Sequence, residues 1–179
     1  MPNENAGPDG AAQIRSRTTS WSDPRPTAKL GLGMTGLDYM RAYKDGEVAK
    51  PPIAATLGFD LIEVDDGMSI FTCTPGEHHY NPIGTVHGGL VSTLIDSATG
   101  CAVHTTLPQG SGYSTVNLSV DMLRPITDAT GALRIEGSVT HRGSRIAIAT
   151  ANVIGEKDAK IYARGQSTCL IFSIGADRT

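Results

Sequence analysis

At 179 residues, 39% of them hydrophobic and 18% charged, the chain is long enough for one domain with a real core. Its net charge of -3 leaves no basic excess to displace counterions from a nucleic acid, which excludes that class of partner. No run of ~18 apolar residues is present to span a bilayer, and the 21 glycines are scattered rather than periodic, so a collagen-like repeat is excluded.

Residues 1–35 are rich in Pro, Gly, Ser, Thr and Arg and show no period, which predicts a flexible tail ahead of a folded domain over 36–174. The tail holds no apolar run of signal-core length. Cys73, Cys101 and Cys169 are odd in number and include no C-x-x-C pair, so they read as buried reduced thiols and the protein as cytoplasmic. Gly31-Leu32-Gly33-Met34-Thr35-Gly36 matches G-x-G-x-x-G, yet no strand precedes it and no acid follows at ~20 residues, so it reads as a hinge. Leu37, Met40 and Tyr43 then space out a short helix within 36–48, stopped by Pro51 and Pro52. Strands are predicted at 57–64 and 68–74 around the turn Asp65-Asp66-Gly67.

The strongest helical pattern covers 88–106, where Leu90, Val91, Leu94, Ile95, Ala98, Cys101 and Ala102 form one stripe. Four strands are predicted after it, at 113–122, 131–141, 145–155 and 159–172. Two strands, one long helix and four strands with short connections imply an α+β domain, a largely antiparallel sheet with one face covered by the helix.

His78, His79 and His87 lack the spacing of a metal site and read as solvent-facing loop residues, and no metal is expected. The informative stretch is Tyr80-Asn81-Pro82-Ile83-Gly84-Thr85-Val86-His87-Gly88-Gly89, which runs from turn chemistry into the long helix. Two glycines at a helix start expose backbone N–H groups at the positive end of the dipole. That arrangement is either a glycine-rich helix start or an oxyanion hole. Asp96 lies on the arc opposite the apolar stripe, between Gly89, Thr93, Gly100 and Val103, which are small and uncharged. An exposed helix face carries Lys, Glu and Arg, so this arc is expected to be covered by a second subunit. A carboxylate trapped there is a candidate base or nucleophile. Strict alternation puts Ser114 in phase with Val116, Leu118, Val120 and Met122, on the face the helix covers.

Asn81-Pro82-x-Gly84-x-x-His87-Gly88-Gly89, with Asp96 nine residues after the histidine, resembles the signature of PaaI-type hotdog-fold acyl-CoA thioesterases, and the similarity runs from about residue 53 to 172. The resemblance implies a curved antiparallel sheet wrapped around one central helix. It implies pairing into a dimer, doubled into a tetramer, with two active sites across the interface. It implies that Asp96 from the partner acts as general base or nucleophile, that the Gly88 amide polarises a thioester carbonyl, and that Asn81, His87 and Ser114 position substrate, loop or water. Substrate would be a coenzyme A thioester, with no cofactor. Gly89 is a further expected substrate contact. Arg142 and Arg145, in the basic turn His141-Arg142-Gly143-Ser144-Arg145, are expected to clamp the coenzyme A phosphates. Two other classes fit the same fold, a non-catalytic acyl-CoA-binding module and a hydroxyacyl-thioester dehydratase. Asp96 favours the thioesterase over the first, and the His87-Gly88-Gly89 pattern favours it over the second.

Overall fold

The computed structural model describes residues 14–174. The first thirteen residues of the expected tail lie outside the described residues. Pro24–Gly31 form a helix, α1, whose start is capped by the Asp23 carboxylate and which buries none of its residues. Gly36–Lys44 form α2, capped by the Thr35 hydroxyl. A side chain on Gly36 would run into the His104 carbonyl, and the Gly36 N–H donates to Leu107 O at 2.9 Å. The last glycine of the G-x-G-x-x-G stretch is therefore a close-packing glycine at a helix junction.

Pro51 and Pro52, expected only to stop a helix, also start one. Pro52 sits at the first turn of α3, Pro52–Leu57, where its missing N–H costs nothing, and Gly58 ends it at φ +71. That delays the first strand to Phe59–Asp65, β1, which pairs with β2, Met68–Cys73. The long helix, α4, spans Gly88–Thr105. The closing strands are β3, Ser111–Met122, β4, Leu133–Arg142, β5, Ile146–Gly155, and β6, Ile161–Ser173.

All pairings are antiparallel, and the order is β1-β2-β4-β5-β6-β3. The sheet curls round α4, which touches every strand, so the fold is the α+β hotdog architecture. Leu94, Ile95 and Ala98 of α4 are fully buried against Phe71, Leu133, Ile135 and Val153. The approach at the centre is backbone to backbone. Any Cβ on Gly137 of β4 would collide with the Ala98 carbonyl, and the buried Ser69 hydroxyl donates to that same oxygen at 2.7 Å. Bare glycine at this crossing lets helix and sheet close without a void. Tyr39 of α2 stacks on His104 of α4, so α2 covers part of the helix face that the sheet leaves open.

β3 is an edge strand and carries a bulge between Thr115 and Asn117. The extra residue, Val116, is 58% exposed, and the pattern of faces inverts on either side of it. Tyr113 and Thr115 face α4 before the bulge, opposite Ile171 and Cys169, and Leu118 and Val120 face it afterwards. Ser114 therefore lies on the outer face and is exposed, which corrects its expected place beneath the helix. Strict period-2 counting fails here because a bulge shifts the phase by one residue.

Candidate functional site

The stretch before α4 is a loop closed on itself by hydrogen bonds. The Asn81 carboxamide oxygen accepts from the Ile83 and Thr85 N–H groups at 3.0 and 3.2 Å, and its NH2 donates to the Thr85 hydroxyl at 2.9 Å. Its N–H donates to Thr85 O at 2.7 Å, and Gly84 takes φ +81 at the turn. Asn81 is thus the residue that folds the loop. The loop is anchored at both ends, by His87 N–H donating to His79 O at 2.8 Å and Val86 N–H donating to Ile126 O at 2.9 Å. Tyr80 donates its hydroxyl proton to Asp128 at 2.8 Å and accepts from the Asp128 N–H at 2.9 Å, which ties the loop to the segment after β3.

His79 is buried, contrary to a solvent-facing histidine. Its Nε2 lies 3.0 Å from Leu57 O, and its Nδ1 accepts from Gly76 N–H at 3.1 Å, so the neutral ring is the form that fits. Burial, and then the neighbouring His78, hold its pKa below the ordinary 6.5. No group of three or more His, Cys, Asp or Glu among the described residues is arranged to hold a metal.

His87 is the N-cap of α4, with Nδ1 accepting from Gly89 N–H at 2.8 Å. Two consequences follow for the expected site. The Gly89 amide is already taken, so it is not a free donor to substrate, which corrects that expectation. With Nδ1 as acceptor, the neutral ring carries its proton on Nε2. Gly88, first residue of the helix, has no intrahelical partner for its N–H. That amide borders a cavity of about 290 Å³ lined by Asn81, Thr85, Val91, Met122, Arg124 and Tyr162 among others. Met122 lies directly on Gly88: a Cβ there would come within 2.6 Å of the Met122 methyl carbon. Sequence reasoning missed Met122, because alternation marks it only as one more inward strand residue.

Asp96 is partly buried two turns into α4, and its Oδ1 is enclosed without a hydrogen-bond partner. Its charge adds to the burial that pushes the Cys101 thiol up to about 12, and it contributes to the rise of Tyr113. The small-residue arc around it is covered differently from the expectation. Tyr113 fills the ground over Gly100, and Val103 is fully buried against Leu107, Ala147 and Cys169 of the same chain. Only the Gly89–Thr93–Asp96 end of the arc remains open to a second subunit. Asp96 stands eight residues from Gly88, about 12 Å along the helix at 1.5 Å per residue. One carbonyl cannot touch both groups of a single chain.

Arg142 and Arg145 line a separate cavity of about 460 Å³ with Ser111, Ser144, Phe172 and Ser173. Arg142 donates to the hydroxyl of Thr106, the C-cap of α4. Eighteen helical residues, about 27 Å, separate that end from Gly88. The structure brings Asn81, His87 and Gly88 together, and places Asp96, Ser114 and the two arginines elsewhere on the same chain.

A profile of the thioesterase superfamily matches residues 83–162, from the loop through β5 to the start of β6. A Halobacterium salinarum protein described as a candidate esterase is 40% identical over 86 residues, 47% of this chain, and the chain spans 51% of that relative's length. The PaaI acyl-coenzyme A thioesterase of Escherichia coli is 27% identical over 115 residues, covering 64% of this chain and 79% of that protein. Among solved structures, a phenylacetic-acid-degradation-related protein from Ralstonia eutropha, described as a candidate thioesterase, superimposes with a TM-score of 0.66 at 30% identity, over 74% of this chain and 98% of that one. With the profile, the relatives and the fold in agreement, the chain belongs to the thioesterase superfamily as a PaaI-type member with the hotdog fold.

Proposed function

We propose that the protein hydrolyses a coenzyme A thioester to a free acid and coenzyme A, at sites completed across a homodimer. The observation that carries this reading is the pairing of two unfilled groups, the free Gly88 amide over a cavity and the enclosed, unpartnered Oδ1 of Asp96. A thioester carbonyl accepting from Gly88 N–H at the positive end of an 18-residue helix gains stabilisation as negative charge develops on its oxygen. Asp96 of a second copy, reaching over the open end of the arc, then acts as general base on water or as nucleophile on the carbonyl carbon. As base, Asp96 takes a proton from the attacking water and returns it to the coenzyme A sulfur as the C–S bond breaks; as nucleophile, it forms an acyl anhydride as the thiolate leaves, and water then cleaves that anhydride to the free acid, restoring the carboxylate and protonating the thiolate. His87 fixes the helix start, and Asn81 fixes the loop that precedes it.

Two edge features support the dimer. β3 offers an unpaired outer edge, and Val116 is exposed along it. Arg142 and Arg145 join this reading as a phosphate clamp only for the substrate of another copy, since their own Gly88 is a helix length away. Three unpaired thiols accord with a cytoplasmic location, and no helix among the described residues is long and apolar enough to cross a membrane. The test is hydrolysis of a panel of aryl- and fatty acyl-CoAs, read by free-thiol release, with the wild type beside Asp96→Asn. Turnover in the first and its loss in the second support the reading. Tight binding of acyl-CoA without hydrolysis by the wild type assigns the protein to the non-catalytic alternative.

A further inference from the structure

We propose that Met122 is the residue that selects the acyl group, because its side chain fills the ground over Gly88 that a bound acyl chain must occupy. The inference rests on the thioester site described above. Its first support is contact. The space a Cβ of Gly88 would take is bounded by the Met122 Cε and Sδ, at 2.6 and 2.9 Å. A carbonyl oxygen hydrogen-bonded to the Gly88 amide sits about 2.9 Å from that nitrogen. Its acyl substituent then extends into the small cavity whose apolar lining includes Val91, Met122, Leu123, Ile126 and Ala163. Substrate and the Met122 thioether compete for one volume.

The second support is that the backbone is fixed while the side chain is free. Leu123 and Arg124 N–H both donate to Tyr162 O, at 2.8 and 3.1 Å, and the Arg124 guanidinium holds Ile161 O. Ile126 O is tied to the Val86 amide. The Cα of Met122 therefore cannot retreat, and adjustment falls to its unbranched side chain, which is 54% exposed. An unbranched thioether with three rotatable bonds moulds to different shapes, so the bulk of the side chain rather than its branching sets the room left for the acyl group. Short acyl groups need little displacement, and aryl or branched groups need Met122 to swing out.

The test uses two non-hydrolysable ketones, S-acetonyl-CoA and S-phenacyl-CoA, which keep a carbonyl and differ in bulk. Dissociation constants are measured by calorimetry for wild type, Met122→Ala, Met122→Leu and Met122→Phe, each checked for oligomeric state and melting. Met122→Ala is expected to shift the affinity ratio toward the phenacyl ketone by roughly tenfold or more, Met122→Phe to shift it the other way, and Met122→Leu to stay within about twofold of wild type. A ratio unchanged in both the Ala and Phe variants, with both affinities falling together, overturns the proposal and makes Met122 a packing residue. Because Ala and Phe act in opposite directions, failure of either to fold leaves the other decisive. The acyl-CoA panel separates the two readings. Hydrolysis by wild type with an unmoved ratio sinks Met122 alone, and a moved ratio without any hydrolysis keeps Met122 and sinks the hydrolase. Binding of neither ketone with no hydrolysis sinks both.

Discussion

Asp96 and Gly88 make opposite kinds of demand on a mutagenesis experiment. Asp96→Asn matches the native residue in size, so the dimer and substrate binding should survive, while the group that accepts a proton or attacks the carbonyl is lost. A fall in kcat of about 10²–10⁴ with KM within a few-fold is expected from steady-state hydrolysis of the best acyl-CoA. Under the proposed reaction Gly88 acts through its N–H. Gly88→Pro keeps a residue suited to the first turn of a helix yet deletes the donor, and should cost about 10²–10³ in kcat. Gly88→Ala adds a Cβ whose close neighbours are the flexible end of Met122, so it should retain most of the turnover while shifting acyl preference. Both residues stand out in the sequence as candidates, because a glycine pair at a helix start and a lone carboxylate on an arc of small residues are local patterns. Gly89 was misjudged, since whether an amide is free depends on which ring nitrogen of His87 turns back on it. Ser114 was misjudged through a bulge, which leaves no mark in residue spacing. The hydroxyl that β3 turns toward the helix at that level belongs to Thr115, 3.9 Å from the Cys169 sulfur.

At the level of elements, period and punctuation located α4 and all six strands to within a few residues, because each has one face pressed on the core. What escaped were α1, eight residues inside the stretch read as a tail, and α3, six residues long and begun by the proline pair that argued for a stop. The α3 carbonyl at Leu57 holds the His79 ring, whose own carbonyl holds the first residue before α4. That chain predicts an acid sensitivity. The His79 pKa is lowered in the fold, so its contribution to stability is complete above the ordinary value of 6.5 and is lost as pH falls below it. Protonation also places a hydrogen on Nδ1, against the Gly76 N–H. Thermal melts from about pH 7.5 to about pH 5 should show a midpoint that drops below pH 6.5, and His79→Gln should flatten that drop while lowering stability at neutral pH. A second element-level prediction concerns the crossing of β4 and α4. Gly137→Ala forces the sheet away from the Ala98 carbonyl and should destabilise by about 1–3 kcal/mol in urea unfolding.

The whole molecule has two sheet edges, and they differ. β1 is short and has Asp60, Glu63 and Asp65 among its seven residues, which discourages pairing. β3 is twelve residues long and exposes Val116 at its bulge. Sedimentation at low micromolar concentration should find a dimer or larger, and Val116→Lys should weaken it, with turnover falling in step with dissociation if the site needs two chains. The sequence argues for a second subunit only through a bare arc on a helix wheel, and half of that arc proved to be filled from within by Tyr113 and the β5–β6 face, because a wheel cannot show what the sheet's far strands cover. The crossing of Gly137, Ser69 and the Ala98 carbonyl has a mechanical consequence as well. A hydroxyl donated from β2 to the middle of α4, with the β4 backbone against the same carbonyl, pins the helix against both sliding and rolling. The helix therefore serves as the fixed axle of the molecule, while the loop over 81–86 is fastened to the segment after β3, through Val86 N–H on Ile126 O, so any breathing that admits a substrate falls to that loop and to the Met122 side chain.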